Sequence, residues 1–371
     1  MDQVQGAGLS QPGAGSGQPG AGSSQQGVGS GQQGVAPREI VRRAILQRQG
    51  CMAVPWQINY TSVYKDLYAK AHPGLDIDAG FENHIRLEKY KKNKTLDEKT
   101  EVDIFGLKWD KSGDDGGDIG VPIEPPLASG DLDSYRFTEI DEEFALGQLR
   151  KLEEDRAGRF RMMGLTFTLY ERAWGLRGME DLLADMLLDP CFVHELMGRI
   201  VEHHLRFLEF VLPFDFDAIY FGDDWGCQRG LIMGAELWRK LIKPYMKQLC
   251  RKVKDGGKIV VLHCCGNIAE ILGELVEIGV DCWNTVQPEF YDLKRLKREY
   301  GQDLCFYGGI SSQGFLPRAT PEEVERKCLE TLDIMAGGGY ILSPSHSLTP
   351  DIPEENAHAI VRAAKRYSGK L

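Results

Sequence analysis

The clearest chemical pattern in the sequence is a histidine and a cysteine, two residues apart, at the end of an apolar run. Residues 260–267 read VVLHCCGN. Alternate side chains of an extended strand point the same way, so His263 and Cys265 share one side and Cys264 faces the other. An imidazole and a thiolate on one face form half of a zinc site. The alternative is a core histidine among buried thiols.

A third candidate ligand follows the last apolar run of the chain. His346 lies in the segment SPSH, directly after YIL. If the strand ends meet, His346 can join His263 and Cys265 in a three-ligand zinc site with one open position. The alternative is that His346 hydrogen-bonds the substrate or the rim of the fold. Zinc suits a mixed nitrogen and sulfur set better than magnesium or calcium does.

Two aspartates and a tryptophan follow another apolar run, at AIYFGDDW. Asp223 and Asp224 are candidate catalytic residues, because a carboxyl group there can act as acid or base, bind metal or cap a helix. Trp225 is a candidate for lining a flat apolar pocket, and core packing accounts for it equally well.

Further polar residues lie at or just after other apolar runs. The candidate substrate-binding residues among them are Gln287, Tyr307 and Ser345. In a parallel barrel all strands end at one face, so these clusters are expected to meet at a single mouth.

The elements that would position these residues are repeated strand and helix units. After Arg156, short apolar runs alternate with amphipathic stretches of about 10 to 20 residues. The predicted strands are 161–166, 218–221, 258–262, 281–284, 304–307 and 340–342, with others near Ala53 and Asp76, and residues 235–254 are predicted to form a helix. This gives an α/β fold, an eight-stranded (β/α)8 TIM barrel, with a doubly wound open sheet as the alternative.

The amino-terminal part differs in composition from this barrel. Residues 1–36 are almost entirely Gly, Ser, Gln, Ala and Pro in a seven-residue repeat, which predicts a disordered tail. The barrel domain is expected to span 37–371, with a helix at 39–49 and an acidic helix at 141–155. Residues 87–135 pass from a lysine cluster to glycine, aspartate and proline, which indicates a flap or insertion.

Composition excludes several functions. A net charge of -11 disfavours binding to a nucleic-acid backbone. The sequence contains no apolar run long enough for a membrane span and no signal-peptide pattern at its start. Nine cysteines scattered through a chain of this size fit a reducing compartment, so a cytoplasmic protein is expected.

Six ordered segments resemble the uroporphyrinogen decarboxylase superfamily. They are TLYERAWGLRGMEDLLADML (168–187), YFGDDWGCQ (220–228), VLHCCGNI (261–268), GVDCWNTVQP (279–288), FYGGISSQGFLPRATPEEV (306–324) and GGGYILSPSHSLTPDIPEEN (337–356). The resemblance covers nearly everything from Arg156 onward and implies a TIM barrel.

Within that superfamily the chain is most similar to the zinc-dependent, corrinoid-linked methyltransferases. Residues 40–90 lack the arginine-rich motif that holds the carboxylates of a porphyrinogen. His263 and Cys265 match the methyltransferase pattern, whereas His346 stands where a cysteine ligand is expected. The resemblance implies zinc, a corrinoid (cobalamin) carried by a partner protein, and a small-molecule methyl donor or acceptor. The alternatives are a metal-independent decarboxylase and a non-catalytic corrinoid- or tetrapyrrole-binding protein.

Overall fold

The fold of residues 35–48, 50–51, 53–113 and 120–369 is described by a computed structural model. The predicted tail therefore lies outside the described residues, except for Val35 and Ala36. The helices are α1 (Pro37–Leu46), α2 (Ser62–Ala71), α3 (Ile77–Gly80), α4 (Glu142–Glu153), α5 (Tyr170–Arg177), α6 (Met179–Leu188), α7 (Pro190–Val211), α8 (Ala235–Leu241), α9 (Lys243–Asp255), α10 (Leu272–Ile278), α11 (Leu293–Tyr300), α12 (Pro321–Met335) and α13 (Glu354–Ser368).

The strands belong to three sheets. They are β1 (Ile85–Lys89), β2 (Asn93–Thr95), β3 (Thr100–Asp103), β4 (Lys108–Asp110), β5 (Val121–Ile123), β6 (Phe160–Thr166), β7 (Ala218–Gly222), β8 (Gly226–Cys227), β9 (Gly230–Leu231), β10 (Ile259–His263), β11 (Cys282–Val286), β12 (Cys305–Ile310) and β13 (Tyr340–Pro344). A seven-stranded parallel sheet has the order β1-β6-β7-β10-β11-β12-β13, and β2 to β5 form an antiparallel sheet.

The parallel sheet curls until one extended segment contacts both of its edges. In segment 54–60, the Gln57 amide donates to Leu342 O of β13 at 3.0 Å. On the other side, the Ile85 amide of β1 donates to the side-chain carbonyl of Gln57 at 3.0 Å. The strands follow one another in chain order without the reversal of a doubly wound sheet. The fold is therefore an α/β fold with a curled parallel sheet, as in TIM-like folds, and the open-sheet alternative is wrong.

Side-chain alternation divides the core into two layers. In β10, Ile259 and Val261 point into the curled sheet and pack with Val41 and Ile45 of α1, which lies across the amino ends of the strands. Val260 and Leu262 face the surrounding helices. Apolar residues on both faces are what a parallel strand covered by helices requires, which explains the continuous apolar run before His263.

The six strands predicted after Arg156 are present, with ends shifted by up to three residues. Near Ala53, the described residues form isolated bridges at Trp56 and Tyr60 in place of the predicted strand. The strand predicted near Asp76 is wrong, because Asp76 accepts a hydrogen bond from the Ala79 amide and caps α3, and β1 begins nine residues later.

Two other predicted elements also differ from the structure. The helix predicted for 235–254 divides into α8 and α9, because Pro244, in the first turn of α9, has no amide hydrogen to continue the preceding helix. The segment 87–135, for which a flap or insertion was predicted, contains the antiparallel sheet β2 to β5, and its first residues, from Leu87 on, belong to β1. Among the described residues, no helix has the length and apolar character that crossing a bilayer requires.

Candidate metal centre and cavity

Three predicted ligands meet at the carboxyl ends of the parallel strands. The donor atoms of His263, Cys265 and His346 all lie within 4.8 Å of one another. His263 ends β10 on its inward-facing side, and its Nε2 lies 3.4 Å from the Sγ of Cys265. His346 follows β13, and its ring centre is 6.3 Å from that of His263. Two ligands of a tetrahedral zinc ion, one nitrogen and one sulfur, lie about 3.6 Å apart at ordinary bond lengths. The distance of 3.4 Å between His263 Nε2 and Cys265 Sγ is close to that value.

A buried asparagine fixes the orientation of His263. Asn284, the register partner of His263 on β11, places its Oδ1 2.5 Å from His263 Nδ1. The Tyr220 hydroxyl also donates to that oxygen, at 3.3 Å, while Asn284 Nδ2 donates to the carbonyl of Tyr307 at 3.4 Å. With Nδ1 as donor, the lone pair of Nε2 points toward Cys265. Sequence reasoning missed Asn284, and its register opposite a histidine at a strand end is the signal that could have found it.

The turn after β10 depends on two glycines in backbone contact. Gly266 has φ +80°, and a Cβ there would lie 2.3 Å from the carbonyl carbon of Gly226. The side-chain oxygen of Gln287 accepts from the Gly266 amide at 2.6 Å. Gln287 is buried and does not line the cavity beside the ligands, so it shapes the turn that carries Cys265.

The two adjacent aspartates occupy different environments. Asp223 is fully buried and accepts hydrogen bonds from the amides of Leu169, Tyr170 and Glu171 at the start of α5, and from the indole of Trp225. Burial raises the pKa of Asp223 to about 6, although these hydrogen bonds oppose the shift. The contacts of Asp223 tie β7 to α5.

Asp224, by contrast, faces the ligand cluster. Its Oδ1 accepts from the amide of Cys265 at 2.7 Å and lies 3.7 Å from His263 Nε2. Its side chain is 36% exposed. Asp224 is therefore the one of the two predicted catalytic aspartates that can reach the ligands.

Trp225 lies in the core and not in the cavity. It is fully buried, and its ring centre is 5.3 Å from that of Trp238 on α8. Its backbone amide donates to the Sγ of Cys264 at 3.2 Å, on the helix side of β10. Trp225 therefore packs in the core, which was the alternative to lining a ligand pocket.

A cavity of about 250 Å³ opens beside the ligands inside the curled sheet. Tyr307 and Ser345, two predicted substrate-binding residues, line it. The Tyr307 hydroxyl accepts from Asn59 at 3.4 Å, and the Ser345 hydroxyl accepts from the Ser312 amide at 3.1 Å. The other lining residues are Gln57, Asn59, Tyr60, Asp78, Ile85, Leu87, Lys89, Met162, Tyr220, His263, Asn284, Thr285, Pro344, His346 and Ser347.

A glutamate that the sequence did not single out completes the acidic side of the site. Glu171, at the start of α5, lies against the backbone of Asp224. Burial raises the pKa of Glu171 well above its usual range, and the carboxylates of Asp224 and Asp223 raise it further. No sequence pattern marks Glu171, because a tertiary contact creates its environment.

The pKa shifts of two candidate ligands act in opposite directions, since that of His346 favours the coordinating form and that of Cys265 does not. Partial desolvation lowers the pKa of His346, although the residue is still exposed at the surface of the site, and the neighbouring His263 lowers it further; this direction favours the neutral imidazole that can coordinate a metal. Burial also raises the pKa of Cys265, as do the carboxylates of Asp224 and Glu171. A bound divalent cation reverses that preference for the thiol form, because it stabilises the thiolate. Two nitrogens and one sulfur form a donor set that suits zinc.

The family model described as uroporphyrinogen decarboxylase (URO-D) matches residues 121–367, about two thirds of the chain. The chain belongs to the uroporphyrinogen decarboxylase family. The resemblance found in the sequence is thereby confirmed, and the matched region contains the three candidate ligands and both aspartates.

Relatives of the chain include methyltransferases and decarboxylases. The methylated-thiol–coenzyme M methyltransferase of Methanosarcina mazei is 21% identical over 272 residues, which are 71% of this chain and 69% of the relative. A uroporphyrinogen decarboxylase of Coxiella burnetii is 24% identical over 189 residues, 49% of each chain. A solved methyltransferase structure from Methanosarcina mazei aligns with a TM-score of 0.71 at 16% identity, covering 90% of this chain and 99% of that one. This structural likeness supports the fold.

Proposed function

We propose that this protein is a zinc-dependent methyltransferase that moves a methyl group between a small molecule and a corrinoid protein. The observation that carries the proposal is the His263, Cys265 and His346 cluster, two of whose members line the cavity of about 250 Å³. We also infer that segment 54–60 serves as the eighth strand of a TIM barrel and that the protein acts in the cytoplasm.

Each side chain around the cluster has a distinct part in this proposal. His263, Cys265 and His346 would hold zinc, and Asn284 keeps the Nε2 lone pair of His263 on the metal side. When bound, zinc supplies a Lewis acid that binds a thiol acceptor as thiolate or polarises the atom that carries the methyl group. Tyr307 and Ser345 would contact the substrate from the cavity wall.

The cavity favours a small substrate over a porphyrinogen. Its volume of about 250 Å³ is below the range of about 300–1,000 Å³ that drug-sized ligands occupy, and a tetrapyrrole is larger still. Among the described residues, no arginine lines the cavity to hold several carboxylates. Both features argue against the decarboxylase alternative. The polar lining argues against a non-catalytic tetrapyrrole-binding protein.

Methyl transfer to a free corrinoid tests the proposal. Zinc-loaded protein would be mixed with cob(I)alamin and, in separate reactions, a methyl sulfide, a methyl ether and a methylamine. Formation of methylcobalamin is followed by absorbance, and the demethylated thiol, alcohol or amine leaves with one proton from solvent. The reverse reaction uses methylcobalamin and a thiol.

We expect transfer in at least one of these reactions. Cys265→Ala should abolish it, because the only sulfur ligand is lost, while Cys264→Ala on the helix side of β10 should retain it. Fully zinc-loaded protein that transfers no methyl group in either direction would overturn the proposal. Equal activity of Cys265→Ala and the wild type would also overturn it.

A further inference from the structure

A second cavity, of about 300 Å³, lies at the amino ends of the parallel strands. Asn83 and His84, which line it, come directly before β1, and Arg159 comes directly before β6. The candidate metal ligands lie at the carboxyl ends of β10 and β13, so the two sites occupy opposite ends of the strands. The volume is at the lower limit of about 300–1,000 Å³ for pockets that bind small molecules. We call this space the amino-end cavity.

The inner wall of the amino-end cavity contains a buried histidine with an unpartnered nitrogen. His84 is 5% exposed, and its ring centre is 3.8 Å from that of Trp56. Within the part of the chain that the structure describes, His84 Nδ1 has no hydrogen-bond partner. Burial lowers the pKa of His84 to about 4, so the ring adds no positive charge to the wall at neutral pH. Since buried polar side chains nearly always have a partner, this nitrogen indicates a partner from outside the chain.

Negative charge prevails around the amino-end cavity. Three carboxylates line it, those of Asp76, Asp78 and Glu82, and Arg159 is the one cationic side chain among the described lining residues. Arg159 already pairs with Asp78 at 3.1 Å and with Asp155 at 2.5 Å. Asp76 uses Oδ1 to cap α3, which leaves its other oxygen on the exposed rim. The cavity therefore attracts a cation rather than an anion.

The spacing of these carboxylates favours an organic cation over a metal ion. Among the described residues, His263, Cys265 and His346 form the only group of three such side chains whose donor atoms come close enough to share a metal ion. An ammonium group needs no such close cluster, because each of its three hydrogen atoms can bond a separate acceptor. Trp56 offers an aromatic surface for an attached alkyl chain and for the cation itself.

We propose that the amino-end cavity binds an aliphatic amine, whose ammonium groups contact Asp76 and Glu82 and whose alkyl chain packs on Trp56. Lys365, the ion-pair partner of Glu82, has a side chain that is 47% exposed and can turn away when the amine binds. Asp78 lines both this cavity and the one beside the metal ligands, so the two cavities share a wall. The site depends neither on the proposed metal nor on methyl transfer.

Calorimetric titration of the full-length protein with 1,4-diaminobutane at constant ionic strength tests the proposal. The matched neutral ligand is 1,4-butanediol, and Mg²⁺ is the inorganic cation. The variants are Asp76→Asn, Glu82→Asn and the double variant. Asparagine caps a helix as well as aspartate does and suits the φ of +50° at Glu82, so both changes remove charge and keep the backbone. Asp133→Asn, at a carboxylate elsewhere that is 95% exposed, is the control.

We expect one diaminobutane per chain and no measurable binding of butanediol. Each single variant should weaken binding by about two- to fivefold, as for the loss of one exposed ion pair, and the double variant by more than about fivefold. Asp133→Asn should leave the affinity unchanged. Wild-type protein that binds no diamine at millimolar concentration, or a double variant that binds it as tightly, would overturn the proposal. Equal affinity for butanediol or Mg²⁺, or an equal loss in Asp133→Asn, would overturn it too, because the cavity would then not recognise an amine.

Discussion

Replacing Asn284 by alanine should weaken metal binding even though Asn284 is not itself a ligand. The substitution removes the oxygen that lies 2.5 Å from His263 Nδ1 and also accepts from Tyr220. His263 then loses its fixed tautomer and ring orientation. Loss of such a partner typically reduces metal affinity by about 10- to 100-fold, which corresponds to about 1.4–2.7 kcal/mol.

The fold should also lose stability in this variant. Asn284 is 3% exposed, so its removal leaves buried donors without an acceptor, at a cost of about 1–3 kcal/mol. Asn83→Ala is a matched control, because Asn83 is equally buried and bonds only Ile58 and Asp78 away from the ligands. Asn284→Asp keeps an acceptor oxygen and should rescue affinity.

Chelator competition for zinc and urea unfolding of the metal-free protein measure the two effects separately. Asn284→Ala should lose both affinity and stability, whereas Asn83→Ala should lose stability alone. Equal zinc affinity in Asn284→Ala and the wild type would refute the role assigned to the Asn284 hydrogen bond. Equal losses of affinity in both alanine variants would refute it as well, since general destabilisation would then explain the change.

Three further predictions concern stability and substrate choice. Burial, together with the neighbouring Arg172 and Arg206, lowers the pKa of His203 to about 4, so the folded protein should lose up to about 3 kcal/mol as the pH falls from about 6.5 to 4; His203→Asn should reduce that dependence in urea unfolding. Gly266→Ala should cost more than about 2 kcal/mol by thermal unfolding, because of its positive φ and its contact with Gly226, and an unchanged Tm would contradict this. Uroporphyrinogen should not be decarboxylated, and turnover above background in a chromatographic assay would restore the decarboxylase alternative.

The sequence alone predicted the strands, because their runs of apolar residues indicate burial directly. Apolar runs such as KIVVL and AIYF mark strands covered on both faces, and the parity of β10 places His263 inward and Cys264 outward. The strand ends also carry the polar residues, so the grouping of His263, Cys265 and His346 could be anticipated from strand direction alone.

The sequence predicted less where tertiary contacts decide a residue's role. Asp223 and Asp224 are adjacent and chemically identical, yet the start of α5 covers one and leaves the other beside Cys265. Glu171 acquires its raised pKa only because α5 packs against the end of β7. Asn284 becomes informative only once the register of β11 against β10 is known. Such pairings between distant segments have no local signal in the chain.

Metal analysis of the purified full-length protein, combined with X-ray absorption at the zinc edge, tests the central claim most directly. We predict about one zinc per chain, with one sulfur donor from Cys265 and two nitrogen donors from His263 and His346 among its ligands. Cys265→Ala should lose the sulfur contribution and most of the metal, while Cys264→Ala should keep both. Protein that binds no zinc after reconstitution, or a zinc shell without sulfur, would contradict the account.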